Sequence, residues 1–293
     1  FNGNYLRYRC SVSADPGGAY LVTVAPYSVV TATTLAITAE PEAVTPLPVE
    51  GPRAVLDTDA TGATPDASDG VLYADDFDYS ARTVPVIGAA GQLTGTESYV
   101  TSRGGPQGTI PRYTSDRNGA FEAFLPDGST DAVLRQQLDR SVMGLGGTWN
   151  DGSPITGIGD NRWLDYRVSV DVSFEHGLTE DGDNYAGLGA RQQGGGSSHY
   201  KNGTPYLLTF SFDGSWALLV DGSPAASGNV VDGAGGVTIP EFDAAPDAWH
   251  NLALEVVGAN VTAYLDDQAL AAFADPEPRL SGRIDLASGY YFT

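Results

Sequence analysis

The run YRVSVDVSF, residues 166–174, alternates without a break, so that Tyr166, Val168, Val170 and Val172 share one side of the chain and Arg167, Ser169 and Asp171 the other. A period of two held this long excludes an amphipathic helix and requires a strand with one dry face. Runs of the same kind recur along the chain: GAFEAFLP, DAVLRQQL, NYAGLGARQQ, PYLLTFSFD, SWALLVDG, WHNLALEVVG, NVTAYLDD and RIDLAS, each bounded by Gly, Asp, Asn or Pro. Short strands at this spacing predict stacked antiparallel sheets, a β-sandwich. Only DAVLRQQLDRS also suits a helix, and no repeat of fixed period exists. The 37 glycines and 18 prolines supply the turns, and a 41% hydrophobic composition supplies the core.

Ahead of the sandwich the pattern differs. YLRYRCSVS and AYLVTVAPYSVVTATTLAI flank DPGG at Asp15–Gly18 and predict a hairpin. Such a hairpin is too small to stand alone, so residues 1–39 are expected to belong to a sheet whose other strands lie upstream. Residues 40–70, EPEAVTPLPVEGPRAVLDTDATGATPDASDG, lack periodicity and read as a proline-stiffened linker. Residues 71–293 form the main all-β unit. The strand-like text at both ends marks the chain as an expected piece of a longer protein.

Charge narrows the partners. The formal charge is −22, from 37 acidic against 15 basic residues, with Lys201 the single lysine. Such a chain repels the phosphate backbone and anionic membrane surfaces, which excludes nucleic acid as a partner. Cations and neutral ligands such as sugars stay open, and solubility alone also accounts for an acidic surface. No apolar run approaches the length of a membrane span, so no transmembrane segment is expected. Cys10 is the sole cysteine, which excludes an intrachain disulfide.

Three constellations bear on chemistry. In YADDFDYS, residues 73–80, a strand would project Asp76 and Asp78 to one side, and two such carboxylates repel each other unless a cation lies between them. Calcium, which takes six to eight hard oxygens at about 2.3–2.6 Å, is the natural occupant; a solvated strand start fits the same residues, and Asp75 is expected to be solvated. A catalytic carboxylate pair cannot be singled out among so many acids, and His176, His199 and His250 show neither metal nor triad spacing. GLGARQQGGG, residues 187–196, lacks the GK[ST] ending of a phosphate loop and reads as a flexible turn. Trp149, in the glycine-rich GLGGTWNDGSP, is placed either to stack on a sugar or to anchor its loop, whereas Trp163, Trp216 and Trp249 read as core or strand-edge residues.

The order DDFDY, GAFEAF, LRQQL, TWNDGSPITGIGDNRWLDYRVSVDVSFE, NYAGLGAR resembles the C-terminal lectin-like domain of the galactocerebrosidase family of glycoside hydrolases, and PYSVVTATTL resembles the last strand of that family's small β-sandwich. The resemblance covers nearly the whole chain and is most specific in GIGDNRWLDYRVSVDV. It implies a concanavalin- or laminin-G-like jelly roll preceded by the end of a small sandwich. It further implies a secreted, bacterial parent whose (β/α)₈ barrel carries a retaining glutamate pair for β-galactosides; no barrel fits here, so the chain is expected to be the non-catalytic part that supports or completes the sugar site. Partners implied are a galactose-containing glycan or glycolipid and the barrel. The resemblance makes Asp76, Asp78 and a backbone carbonyl near Ala132 ligands of a structural Ca²⁺, with a further ligand in an FDN strand past Thr293, and puts Trp149 in the loop that reaches over the barrel pocket. An independent carbohydrate-binding module and an adhesive laminin-G-like domain are the alternatives.

Overall fold

The computed structural model describes residues 12–23, 70–105, 108–138, 154–175, 185–193 and 204–289. The chain divides into two compact units, Phe1–Pro52 and Arg53–Thr293. In the first, the expected DPGG turn is formed: Asp15 Oδ1 accepts from the backbone N–H of Gly17 at 2.9 Å and of Ala19 at 2.8 Å. Residues 12–23 hold this turn and no strand; most of the expected hairpin, and the linker, lie outside the described residues.

In chain order the second unit contains β1 (Thr83–Ile87), β2 (Leu93–Ser98), the single-turn α1 (Tyr99–Ser102), β3 (Ser115–Asn118), β4 (Phe121–Phe124), β5 (Val133–Gln136), β6 (Ile155–Ile158) and β7 (Tyr166–Val172). There follow β8 (Ala186–Gln192), β9 (Tyr206–Phe210), β10 (Ser215–Val220), β11 (Ser223–Asn229), β12 (His250–Val257), β13 (Asn260–Leu265), β14 (Gln268–Ala274) and β15 (Arg283–Ser288). Seven strands make the larger sheet in the order β11-β10-β9-β8-β15-β6-β3, and four the smaller, β14-β13-β12-β7. Every neighbouring pair is antiparallel. β1-β2 and β4-β5 are separate ribbons.

The two sheets form one sandwich because their alternations meet. Leu188, Tyr206, Leu208, Phe210 and Leu218 of the large sheet share a core with Leu252, Leu254, Val256, Val261, Ala263 and Leu265 of the small one. Each of the nine runs singled out from alternation contains a strand, including β5, where DAVLRQQL resolves to a strand rather than a helix. The tight hairpins obey their turn chemistry: Asp221-Gly222 between β10 and β11 and Asp266-Asp267 between β13 and β14 have positive φ at both positions, the two-residue geometry that matches strand twist. GIGDNRW also has a packing reason. Gly159 (φ +115°) lies under the buried Trp163, and a Cβ there would sit 2.2 Å from that indole's Cζ3.

Two expectations are corrected. YADDFDYS is not a strand: Phe77 takes φ +59°, and side-chain turns replace ladder pairing. GLGARQQGGG is not a free turn, because Gly187–Gln192 lie within β8, the fourth of seven strands. Glycine suits this strand because its neighbours crowd it: a Cβ on Gly189 would meet Thr204 Cγ2 at 2.4 Å.

Candidate functional site

β15 alternates like its neighbours. Ile284 and Leu286 face the sandwich core, so Asp285 points from the opposite face of the large sheet. There it is wholly buried. Arg117 of β3 reaches it at 2.5 Å across β6, and the hydroxyl of Thr204, two residues before β9, donates to it. Arg283, two residues back on β15 and half-buried, donates through Nε to Gln192 Oε1 of β8. Five side chains, four from β3, β8 and β15 and one from the segment before β9, thus converge.

A buried carboxylate is costly unless fully paired, and Asp285 Oδ1 has no hydrogen-bond partner among the described residues. Burial pushes the Asp285 carboxyl above its ordinary range, outweighing the opposite pull of Arg117. The space that Oδ1 faces is kept by Gly157, whose missing Cβ would lie 3.2 Å from it and 3.5 Å from Arg283 Nε. Beside these polar groups, on the same face, Ile155, Leu207 and Ala287 form a small buried apolar cluster flanked by Tyr185 and Leu219. Of the polar groups gathered here, half-buried Arg283 is the one that reaches towards solvent. No residue of this cluster was singled out from the sequence. RIDLAS does show an aspartate at a position flanked by apolar residues, but not that arginines from another strand meet it.

The predicted cation ligands lie elsewhere, where the segment before β1 meets the β4-β5 ribbon. Asp76 and Asp78 are both exposed. Asp76 Oδ1 accepts the Asp78 N–H at 3.0 Å and Asp78 Oδ1 the Ser80 N–H at 2.8 Å, so successive side-chain turns, not strand alternation, fix their positions. Asp78 and Ala132 line one cavity of about 220 Å³ with Thr109, Thr130 and Phe124; Asp76 is not on its wall. The donor set is hard oxygen, as calcium requires, and no cluster of three or more His, Cys, Asp or Glu occurs among the described residues.

Asp75 is the member of the trio that is not solvated. Its carboxylate accepts from Phe77 N–H at 2.8 Å, Tyr79 Oη at 3.0 Å and Tyr73 Oη at 3.3 Å, and burial holds its pKa above the usual aspartate range. Both tyrosine hydroxyls are pushed upward, by burial first and by this carboxylate second. Trp149 lies outside the described residues. Trp163 and Trp216 are core residues, as expected, while Trp249 is 58% exposed.

Comparison with known proteins finds one family match. The family model described as "Galactocerebrosidase, C-terminal lectin domain" matches residues 116–284. Among solved structures the chain is similar to a carbohydrate-binding module, CBM66, from Bacillus subtilis (17% identity, 60% of this chain and 88% of that one, TM-score 0.40). It is also similar to sheep galectin-11 (16% identity, 47% of this chain and 90% of that one, TM-score 0.30). No curated protein matches. With more than half of its length matched, from β3 to β15, the chain belongs to the family of galactocerebrosidase C-terminal lectin domains.

Proposed function

We propose that this chain is the non-catalytic, lectin-like part of a secreted bacterial β-galactoside hydrolase, and that it contacts a galactose-containing glycan through the outward face of its large sheet. The observation that carries the reading is the family match over residues 116–284, which makes it a lectin-like carbohydrate-binding domain. The cluster of Arg117, Asp285 and half-buried Arg283 on that face supports the placement. In this reading half-buried Arg283, held by Gln192, reads the sugar hydroxyls, and Asp285 beneath it is a positioning residue that orients the Arg117 guanidinium. The same proposal gives Asp76, Asp78 and the Ala132 carbonyl to a structural Ca²⁺ that would pin the segment before β1 to the β4-β5 ribbon; the cavity that Asp78 and Ala132 share supports it.

One titration series tests both parts. Calorimetry of the purified chain with lactose should give saturable binding that R283A weakens roughly tenfold or more. In the same samples a chelator should lower the melting midpoint of the wild type and leave that of D78A unmoved. An unchanged number and affinity of lactose sites in R283A would contradict the sugar site, and a melting midpoint indifferent to calcium would contradict the ion.

A further inference from the structure

The outward face of the small sheet carries its own arrangement. On β12, His250, Leu252, Leu254 and Val256 are buried, so the alternate positions Asn251 and Glu255 face away from the core. Continued one residue back, the same alternation puts Trp249 on that outward face, in line with Asn251 and about 6.6 Å from it at the strand rise of 3.3 Å. The indole is 58% exposed, and no hydrogen bond or ring contact holds it among the described residues. The other two described tryptophans are 2% and 4% exposed.

What lies beside the indole is rigid and polar. The Asn251 amide donates to Asp171 Oδ1 of β7 at 2.7 Å, and its backbone N–H donates to Asp266 Oδ1 at 2.8 Å. The other Asp266 oxygen is held by the buried His250 at 2.8 Å, whose far nitrogen meets the Asp243 carbonyl and whose ring stacks on Phe242 at 4.3 Å. Each polar group next to Trp249 is therefore anchored to the strand ladder or the core. Further along, Tyr264 has one face covered by Arg167 at 4.5 Å, so the open aromatic face at this end is that of Trp249.

We propose that Trp249, with Asn251 and Asp171, is a second carbohydrate-contact site, on the sheet opposite the Asp285 cluster. The ligand is a neutral pyranoside whose apolar ring face stacks on the indole, while its hydroxyls bond to the Asn251 amide and the two aspartates. Neutrality follows from the carboxylates of Asp171 and Asp266 beside the site, which repel sialylated or sulfated glycans. The inference rests on the lectin reading for its ligand class but uses none of the residues assigned above.

The experiment is calorimetric titration of the full chain with lactose and with sialyllactose. Two lactose sites per chain are expected in the wild type, one in W249A, and one in R283A; N251A should weaken the Trp249 site roughly tenfold. Sialyllactose should fill only one site. A single site abolished by R283A and untouched by W249A would overturn this inference while leaving the large-sheet site standing. A single site abolished by W249A and untouched by R283A would do the reverse, and two sites that both survive W249A would also overturn it.

Discussion

Replacing Arg191 with alanine should cost the folded chain about 3–5 kcal/mol, read as a lower urea midpoint at unchanged m-value. The residue is fully buried and takes φ +57° at an irregularity in the β8-β15 pairing, where Ala190 and Arg191 of β8 stand opposite the single Ile284 of β15. Such a bulge re-aims a side chain. Here it turns the guanidinium into the end of the sandwich, where Nε donates to the Leu164 carbonyl at 3.2 Å, Nη1 to the carbonyls of Arg279 (2.7 Å) and Gly258, and Nη2 to Asp165 Oδ1 at 3.0 Å. Its own backbone N–H donates to the hydroxyl of Tyr166 at 2.7 Å. These acceptors lie before β7, in the β12-β13 turn and before β15, so one side chain closes one end of the sandwich across both sheets. Alanine leaves three carbonyls short of a donor, and R191K cannot reach them together because an ammonium lacks the planar fork. A loss under about 1 kcal/mol in R191A would show that water replaces the clasp without penalty.

R117A should be nearly as damaging at neutral pH, by about 3–5 kcal/mol, because it leaves Asp285 buried without its cation. The pH dependence distinguishes this from lost packing. The folded pKa of Asp285 is raised above its ordinary value, so the folded state favours the protonated acid. Its contribution to stability is complete below the unfolded pKa, near pH 4, and is lost as pH rises through the raised folded value. Arg117 limits that loss by pulling the pKa down; without it the loss is larger and extends to higher pH. R117A should therefore recover most of its deficit on acidification towards pH 4, and D285N should flatten the profile in the same window. An R117A deficit that is equal at pH 4 and pH 7 would contradict this assignment.

What the sequence made legible divides by range. Strands such as β7, β12 and β13 could be read because their alternation is complete, and the turns Asp15–Gly18 and Asp221-Gly222 because Asp and Gly carry local backbone chemistry. β6, ITGI, was passed over: it is buried on both faces and shows no alternation. In YADDFDYS the wrong carboxylate was given to solvent, since alternation assumes a strand, whereas each aspartate here caps the backbone two residues on and sets a tighter course. The Asp285 cluster was invisible because Arg117 lies far away in sequence and nothing local to either residue marks the pairing. Trp249 reads from the sequence as a core or strand-edge residue; its exposure depends on which face of β12 meets the core, which only the pairing of β12 with β7 and β13 decides.

The most direct measurement is equilibrium dialysis of the purified chain against p-nitrophenyl β-galactoside, with the absorbance of released nitrophenolate followed in the same chambers. A non-catalytic, sugar-contacting lectin-type domain should retain the intact galactoside saturably and release no nitrophenolate above the buffer blank. Turnover at an enzyme's rate, or no retention even at millimolar galactoside, would contradict the account.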